Sequence, residues 1–193
     1  VIRGMVQRLL ERGTVESAIQ TILDDVIALH GAEYGDVQVP SGHELLIVAQ
    51  RGLSIDFLKK FRRVDAHDGS ACGRALRSGA IVQIPDVEQD SEFAPHLVDA
   101  RAAGFRSVQS VPFFTTDARF VCMVSTHFAN PHRTTAIELD MLKAYRIVAA
   151  DHVCRLLGDV PLRVKAEQMN ERLYAEAPGE AGQSESGSRQ SIL

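Results

Sequence analysis

Gly69-Ser70-Ala71-Cys72-Gly73-Arg74-Ala75-Leu76, then Val82-Gln83-Ile84-Pro85-Asp86-Val87, then Val108-Gln109-Ser110-Val111-Pro112 followed by Ser125-Thr126-His127-Phe128, are the stretches on which the reading of this chain turns. The first predicts a helix over residues 70–78, capped by Ser70 or Asp68 and stopped by Gly79. Its small residues Gly69, Ala71, Gly73 and Ala75 let it lie close to whatever it covers. The second is a brief strand, 81–84, ended by Pro85, with Asp86, Asp90 and Phe93 beyond it. The third predicts two strands, 107–115 and 119–128, joined around Thr116, Asp117 and Ala118. Pro112 cannot donate to a ladder, so the first of them pairs weakly near its middle or sits by a bulge.

Outward from this centre, residues 1–12 read as a short amphipathic lead-in helix stopped at Gly13. Thr14 caps a second helix, in which Val15, Ala18, Ile19, Ile22, Leu23, Val26 and Leu29 recur at helical spacing up to Gly31. Residues 35–39 and 44–50 predict a hairpin turning at Pro40, Ser41 and Gly42, and residues 53–61 a short helix. A further helix is expected over 93–103, with Pro95 in its first turn, where a missing amide hydrogen costs least. Thr135 and Glu138 form a capping box ahead of a long helix that ends at Gly158, with Ile137, Met141, Leu142, Tyr145, Val148, Ala149 and Leu156 along its stripe. A polar helix over 163–177 follows Pro161, and the tail 178–193, rich in Gly, Ser and Glu, lacks the apolar surface to fold and is expected to be disordered.

Hairpins near both ends with helical crossovers between them predict an α+β fold. The sheet is expected to be mostly antiparallel, with the long terminal helices covering one face and the short central helices roofing the other. On the three stretches quoted first, the chain resembles a GAF domain, over roughly residues 14–158, and the resemblance implies a three-layer sandwich around a central six-stranded sheet, with a pocket under the short helices. The PAS fold also inserts helices between its second and third strands but normally lacks paired long helices at both ends. The expected organisation is a lead-in helix (1–13), a GAF-like sensory domain (14–158), a polar helical extension (159–177) and the tail (178–193). The chain departs from the family pattern at Asp117-Ala118, where Asp-Gly is usual, at Ser91 in place of proline, and at Cys122 in place of glycine.

The resemblance implies a ligand between the sheet and its roof. Carried over by position, the roof is residues 70–76 and 86–106, and the floor is Ser110, Met123 and Ser125 or their alternates on the same strands, since a one-residue slip exchanges faces. The candidate ligand-binding set is therefore Cys72, Asp86, Phe93, Arg101, Arg106, Ser110, Met123, Ser125 and His127. Cys72 lies in the first turn of a helix, where unpaired amides stabilise a thiolate and Arg74 is close in sequence, whereas Asp65 and Asp68 oppose it. Its alternative role is to fill a tight helix–sheet contact. Arg101 and Arg106 have the chemistry to hold an anion or to lie along the surface, and His127 to bond a ligand or be satisfied by backbone. Tyr145 and the last helix's stripe read as core or dimer seam.

The chain has 193 residues, 45% of them hydrophobic and 24% charged, with a net charge of −4. Such a balance provides no field for nucleic acid, and no apolar run approaches the roughly 20 residues of a membrane span. A cytoplasmic setting is expected. Three widely spaced cysteines and scattered histidines form no zinc pattern, so neither metal nor cofactor is implied. The chain opens on Val1, as an excised fragment or a frame with a non-standard start codon would. The cyclic-nucleotide signature Asn-Lys-Phe-Asp-Glu of some GAF domains is absent, and residues 92–111 contain no cysteine for a bilin.

The resemblance implies a non-catalytic sensor that binds an unidentified small molecule and signals through a homodimer of long helices. Its effector would be a histidine kinase or another protein, in a bacterial two-component or similar pathway. A dimerisation scaffold whose pocket is filled by its own side chains, with Phe113, Phe114, Phe120 and Met123 as candidates, is the second expectation, and a thiol redox sensor using Cys72 the third. An enzyme like the free methionine sulfoxide reductases ranks last, because their closely spaced cysteines are missing.

Overall fold

The computed structural model describes residues 1–175. In chain order its elements are α1 (Ile2–Leu10), α2 (Val15–His30), β1 (Tyr34–Ser41), β2 (Glu44–Arg51), α3 (Ile55–Lys60), β3 (Arg63–Asp65), α4 (Ala71–Ser78), β4 (Val82–Ile84), α5 (Leu97–Ala103), β5 (Ser107–Phe114), β6 (Phe120–Phe128), α6 (Ala136–Leu157) and α7 (Leu162–Ala175). Single 3₁₀ turns, Val87–Gln89 and Ala94–His96, lead into α5. Residues 176–177 of the expected last helix and the tail 178–193 lie outside the described residues. Among the described residues, no helix is long and apolar enough to cross a membrane.

Capping residues set several helix starts. Thr14 accepts from the Ser17 amide and Ser17 answers with its own hydroxyl, while the Thr135–Glu138 box opens α6. The helix expected over 93–103 is interrupted: Pro95 sits within the 3₁₀ turn, and His96, with φ −102° and ψ 1°, caps a separate α5.

The strands form one sheet in the order β3-β2-β1-β6-β5-β4. Every pairing among the described residues is antiparallel, not merely most of them. The sixth strand is β3, whose three residues pair with Glu44, Leu45 and Leu46; Arg-Val-Asp is too short to establish a period in sequence. β4 pairs β5 only as far as Ser110, so Pro112 lies where β5 has become an edge and its missing amide hydrogen leaves no ladder bond unmade.

Alternation along the strands divides the interior in two. Val37, Val39, Val111, Phe113 and Val124 pack beneath α1, α2 and α6, with Leu142 and Tyr145 of α6 fully buried against them. Leu45, Ile47, Val108 and Met123 face the other way, under α3, α4 and α5. α7 lies against β1 and β2, with Ala166 and Met169 in the first core and Leu173 and Tyr174 against the second. Its Asn170 donates from Nδ2 to the Ile47 carbonyl at 2.6 Å, a β2 group beyond the reach of the short β3.

The β5–β6 turn carries a backbone cost. Ala118 has φ 63° and is the one non-glycine among the described residues with positive φ, at the position where the family usually has glycine. Ala118→Gly removes that strain but adds unfolded-state freedom, so a net gain of about 0.5 kcal/mol is expected, raising the melting temperature by roughly 1–2 °C. Calorimetry of the two proteins checks this, and a lower melting temperature for the glycine variant would contradict it.

Candidate functional site

The register of three strands builds a polar floor on the face away from the long helices. Asp36 of β1 stands opposite Ser125 of β6, and Ser125 opposite Ser110 of β5, so the three form one row across the sheet. The Ser110 and Ser125 hydroxyls are 2.8 Å apart and bonded to each other. Gln38, two residues along β1, points to the same side, and His127 and Val108 form the neighbouring row.

Above this floor sits a closed circuit of five aromatic rings. Phe57 meets Phe61 at 4.5 Å, Phe61 meets His96 at 5.6 Å, His96 meets Phe93 at 5.5 Å, Phe93 meets Phe105 at 6.4 Å, and Phe105 returns to Phe57 at 5.9 Å. The His127 ring reaches up from the floor to Phe57 and Phe105, at 5.7 and 4.6 Å. Between roof and floor remains a cavity of about 30 Å³, closed at one side by Ser70, Ala71 and Cys72 of the α4 N-terminus. That volume suits one or two waters.

The glycines of the first quoted stretch hold this roof down. A Cβ on Gly73 would lie 2.7 Å from the Asp65 carbonyl oxygen and collide with Asp68 Oδ1, and one on Gly69 would lie 2.8 Å from the Glu92 carbonyl oxygen, at φ +78°. Ser70 caps α4, accepting from the Gly73 amide at 3.1 Å, while its own amide and hydroxyl donate to Asp68. Arg74 straddles Asp90, with both carboxylate oxygens at 2.9 Å, and reaches Glu92 at 3.1 Å. Gly73→Ala is expected to cost about 1–3 kcal/mol, because backbone and not a flexible tip must move. An unchanged denaturation midpoint would refute this close packing.

The sequence-derived candidates divide in two. Cys72, Phe93, Ser110, Ser125 and His127 line the cavity. Met123 is buried on the same face, in the row with Gln38, but does not reach the free space. Asp86, Arg101 and Arg106 are elsewhere. Arg106 pairs with Asp86 at 2.6 Å and Glu88 at 3.3 Å, and Arg101 with Glu88 at 3.2 Å, a surface network that occupies the guanidinium groups expected for an anion. Asp86 also caps the Glu88 amide. The aromatic filling expected of Phe113, Phe114 and Phe120 is supplied instead by Phe57, Phe61, Phe93 and Phe105, since Phe113 lies in the core on the opposite face.

Asp36, Gln38, Phe57 and Phe61 were not selected from sequence, and His96 and Phe105, though inside the expected roof 86–106, were not singled out. A signal did exist for the first two: Asp36 and Gln38 alternate with Val37 and Val39 in a strand, where aspartate is depleted. The phenylalanines carried no mark beyond their apolarity.

Burial governs the chemistry of the floor. Asp36 is 2% exposed, and its carboxyl is pushed up to about 8. Burial lowers the His127 imidazole to about 3 and raises the Cys72 thiol to about 12, with only partial compensation from Ser70. Cys72 is therefore a thiol at neutral pH, and Arg74 is engaged with Asp90 and Glu92. Asp36 Oδ1, Gln38 Oε1 and His127 Nδ1 have no hydrogen-bond partner among the described residues, and Asp36 Oδ2 is 4.0 Å from His127 Nδ1. Cys72 lies in the roof core and Cys122 in the core across the sheet, so these two thiols are kept apart; all three cysteines are free.

A family model described as GAF domain matches residues 13–145. No curated protein matches the chain. Among solved structures, the chain is similar to the GAF domain of an Acinetobacter phosphoenolpyruvate-protein phosphotransferase, with a TM-score of 0.65 and 11% identity over 80% of this chain and 90% of that one. It is similar also to free methionine-R-sulfoxide reductase from Neisseria meningitidis, solved with its substrate, with a TM-score of 0.60 and 15% identity over 87% and 89% of the two chains. A third similarity is to a domain of a protein described as a two-component sensor histidine kinase from Sinorhizobium meliloti, with a TM-score of 0.53 and 18% identity over 86% and 100%. At these identities the likeness is one of fold.

Proposed function

Because the chain belongs to the GAF-domain family, we propose that it is a sensory and regulatory domain that takes a small molecule between its polar floor and aromatic roof. The observation that carries this reading is the trio of buried, unpartnered polar groups, Asp36 Oδ1, Gln38 Oε1 and His127 Nδ1, lining one cavity. An unsatisfied buried polar group costs about 1–3 kcal/mol, so three around one space favour an occupant that bonds to them.

Occupancy acts on the roof, and the roof is joined to the last helix. Arg62 donates to Asn170 at 3.0 Å and lies over the Tyr174 ring at 4.5 Å, while Tyr174 donates to the Leu58 carbonyl at 2.6 Å. A shift of α3 thereby moves α7. Ile137, Met141, Ala144 and Val148 form an outward stripe along α6 at helical spacing, which serves as the seam of a homodimer. The effector is a histidine kinase or another signalling protein in the cytoplasm, and the domain itself performs no catalysis.

The small cavity supports a second reading, a dimerisation scaffold whose pocket is closed by its own rings. Native mass spectrometry compared with the denatured mass separates the two. A dimer carrying an extra small mass supports the sensor, a bare dimer favours the scaffold, and a bare monomer contradicts both.

A further inference from the structure

The cavity's lining has a charge bias. Among the described residues that line it there is one carboxyl, Asp36, and neither lysine nor arginine. The arginines nearest in sequence to the roof are committed elsewhere, Arg74 to Asp90 and Glu92, Arg106 to Asp86 and Glu88. An anion entering here would find no counter-charge and would face a carboxyl group. The two unpartnered oxygens, Asp36 Oδ1 and Gln38 Oε1, come from residues two apart on β1 that line the same cavity, and both residues are 2% exposed. Opposite them the rings of Phe57, Phe61, Phe93 and Phe105 offer a wall that attracts positive charge and excludes water.

Resting on the reading of this cavity as a small-molecule site, we infer that its ligand is a small organic cation of the alkylammonium or amidinium class, with its N–H groups held by Asp36 and Gln38 and its charge against the aromatic ring circuit. Each part of such a ligand meets a need of the site. Its donors satisfy the orphaned oxygens and its charge makes the buried carboxylate tolerable, while a space of about 30 Å³ restricts it to the smallest members of the class unless the roof yields.

Burial favours the protonated carboxyl, so cation binding displaces a proton from Asp36. The titratable groups that face Asp36 are His127 on β6, Cys72 at the start of α4, His96 on the roof turn and Tyr174 on α7. His127 is held neutral by burial and Cys72 remains a thiol, so neither takes up the displaced proton near neutrality. Affinity for a cation should consequently rise about tenfold per pH unit below the Asp36 pKa and level off above about 8.

The test is titration calorimetry and thermal melting of the whole chain with methylammonium chloride and acetamidinium chloride. Acetamide serves as the neutral isostere of the amidinium, sodium formate as an anion and sodium chloride as the ionic-strength control. Expected are saturable binding of at least one cation, strengthening from pH 6 to 8 with proton release, and at least tenfold loss in Asp36→Asn. Equal or tighter binding of acetamide or formate overturns the cation assignment while supporting the pocket. Cation binding that survives Asp36→Asn, or that is independent of pH, overturns the assignment to Asp36. Silence of all probes overturns the small-cation proposal, and the native mass then decides separately whether the pocket holds anything.

Discussion

Asp36→Asn is expected to melt higher than the parent protein at pH 8, by roughly 5–10 °C, and to melt alike near pH 4. The carboxyl ionises near 3.8 when the chain is unfolded and at about 8 when it is buried. Its contribution to stability is thus fully present below 3.8 and is lost as pH rises through 8, at up to about 1.4 kcal/mol per unit in between. Relaxation around the buried group reduces the whole span to a few kcal/mol, the basis of the temperature given above. Asparagine keeps the shape and cannot ionise. Two histidines act from the acid side. His30, lowered to about 4, and His127, lowered to about 3, contribute stability that is present above 6.5 and lost as pH falls toward those values. The parent protein should therefore be most stable in a mid-pH window and the variant's window should extend upward. An Asp36→Asn protein equal to or weaker than the parent at pH 8 would mean that the carboxylate is well paired in the fold.

Tyr145→Ala should cost about 3–5 kcal/mol, which lowers the melting temperature by on the order of 10 °C. Tyr145 is fully buried, and its hydroxyl donates to Asp25 Oδ2 at 2.9 Å. Asp25 is itself 5% exposed and takes Arg8 on its other oxygen, so one carboxylate ties α1, α2 and α6 together. Truncation removes a core ring and also leaves a buried oxygen short of a donor. Tyr145→Phe isolates the second effect and should cost about 1–3 kcal/mol. Sequence allowed Tyr145 and Leu142 as core or seam; both are core, so a charge at either should unfold the chain and not merely separate a dimer. Ile137, 73% exposed at the start of α6, is the contrasting site. Ile137→Glu should leave stability within about 0.5 kcal/mol and weaken the proposed dimer. A melting temperature for Tyr145→Ala within a degree or two of the parent would contradict the packing described.

The legibility of this fold followed the length of each signal. α2 and α6 carry long apolar stripes between caps, and both lie where periodicity places them. β3 was invisible because three residues hold no period, and α5 was merged with the turn before it because a proline near a helix start does not distinguish a first turn from a separate 3₁₀ turn. For the site, Cys72, Ser110, Ser125 and His127 of the quoted stretches and Phe93 just beyond one of them line the cavity as expected, whereas Asp86 does not. Residues supplied by β1 and by the bulky positions of α3 and the turn before β5 were not singled out, since their part in the cavity depends on segments far away in the chain.

Sequence by itself determined the order of the longer elements, the caps of α2 and α6, the two-faced sheet and the close-packed glycine helix, because these rest on local sterics and on spacing along one segment. Only the tertiary structure decided which side of β1 met the roof, that Arg101 and Arg106 spend their charge on Asp86 and Glu88, and that five rings close over Asp36, Gln38 and His127. The physical reason is that strand register and burial belong to the assembled sheet. They push the carboxyl of an ordinary aspartate well above its usual range and leave its Oδ1 without a partner, a property that no neighbour in sequence confers.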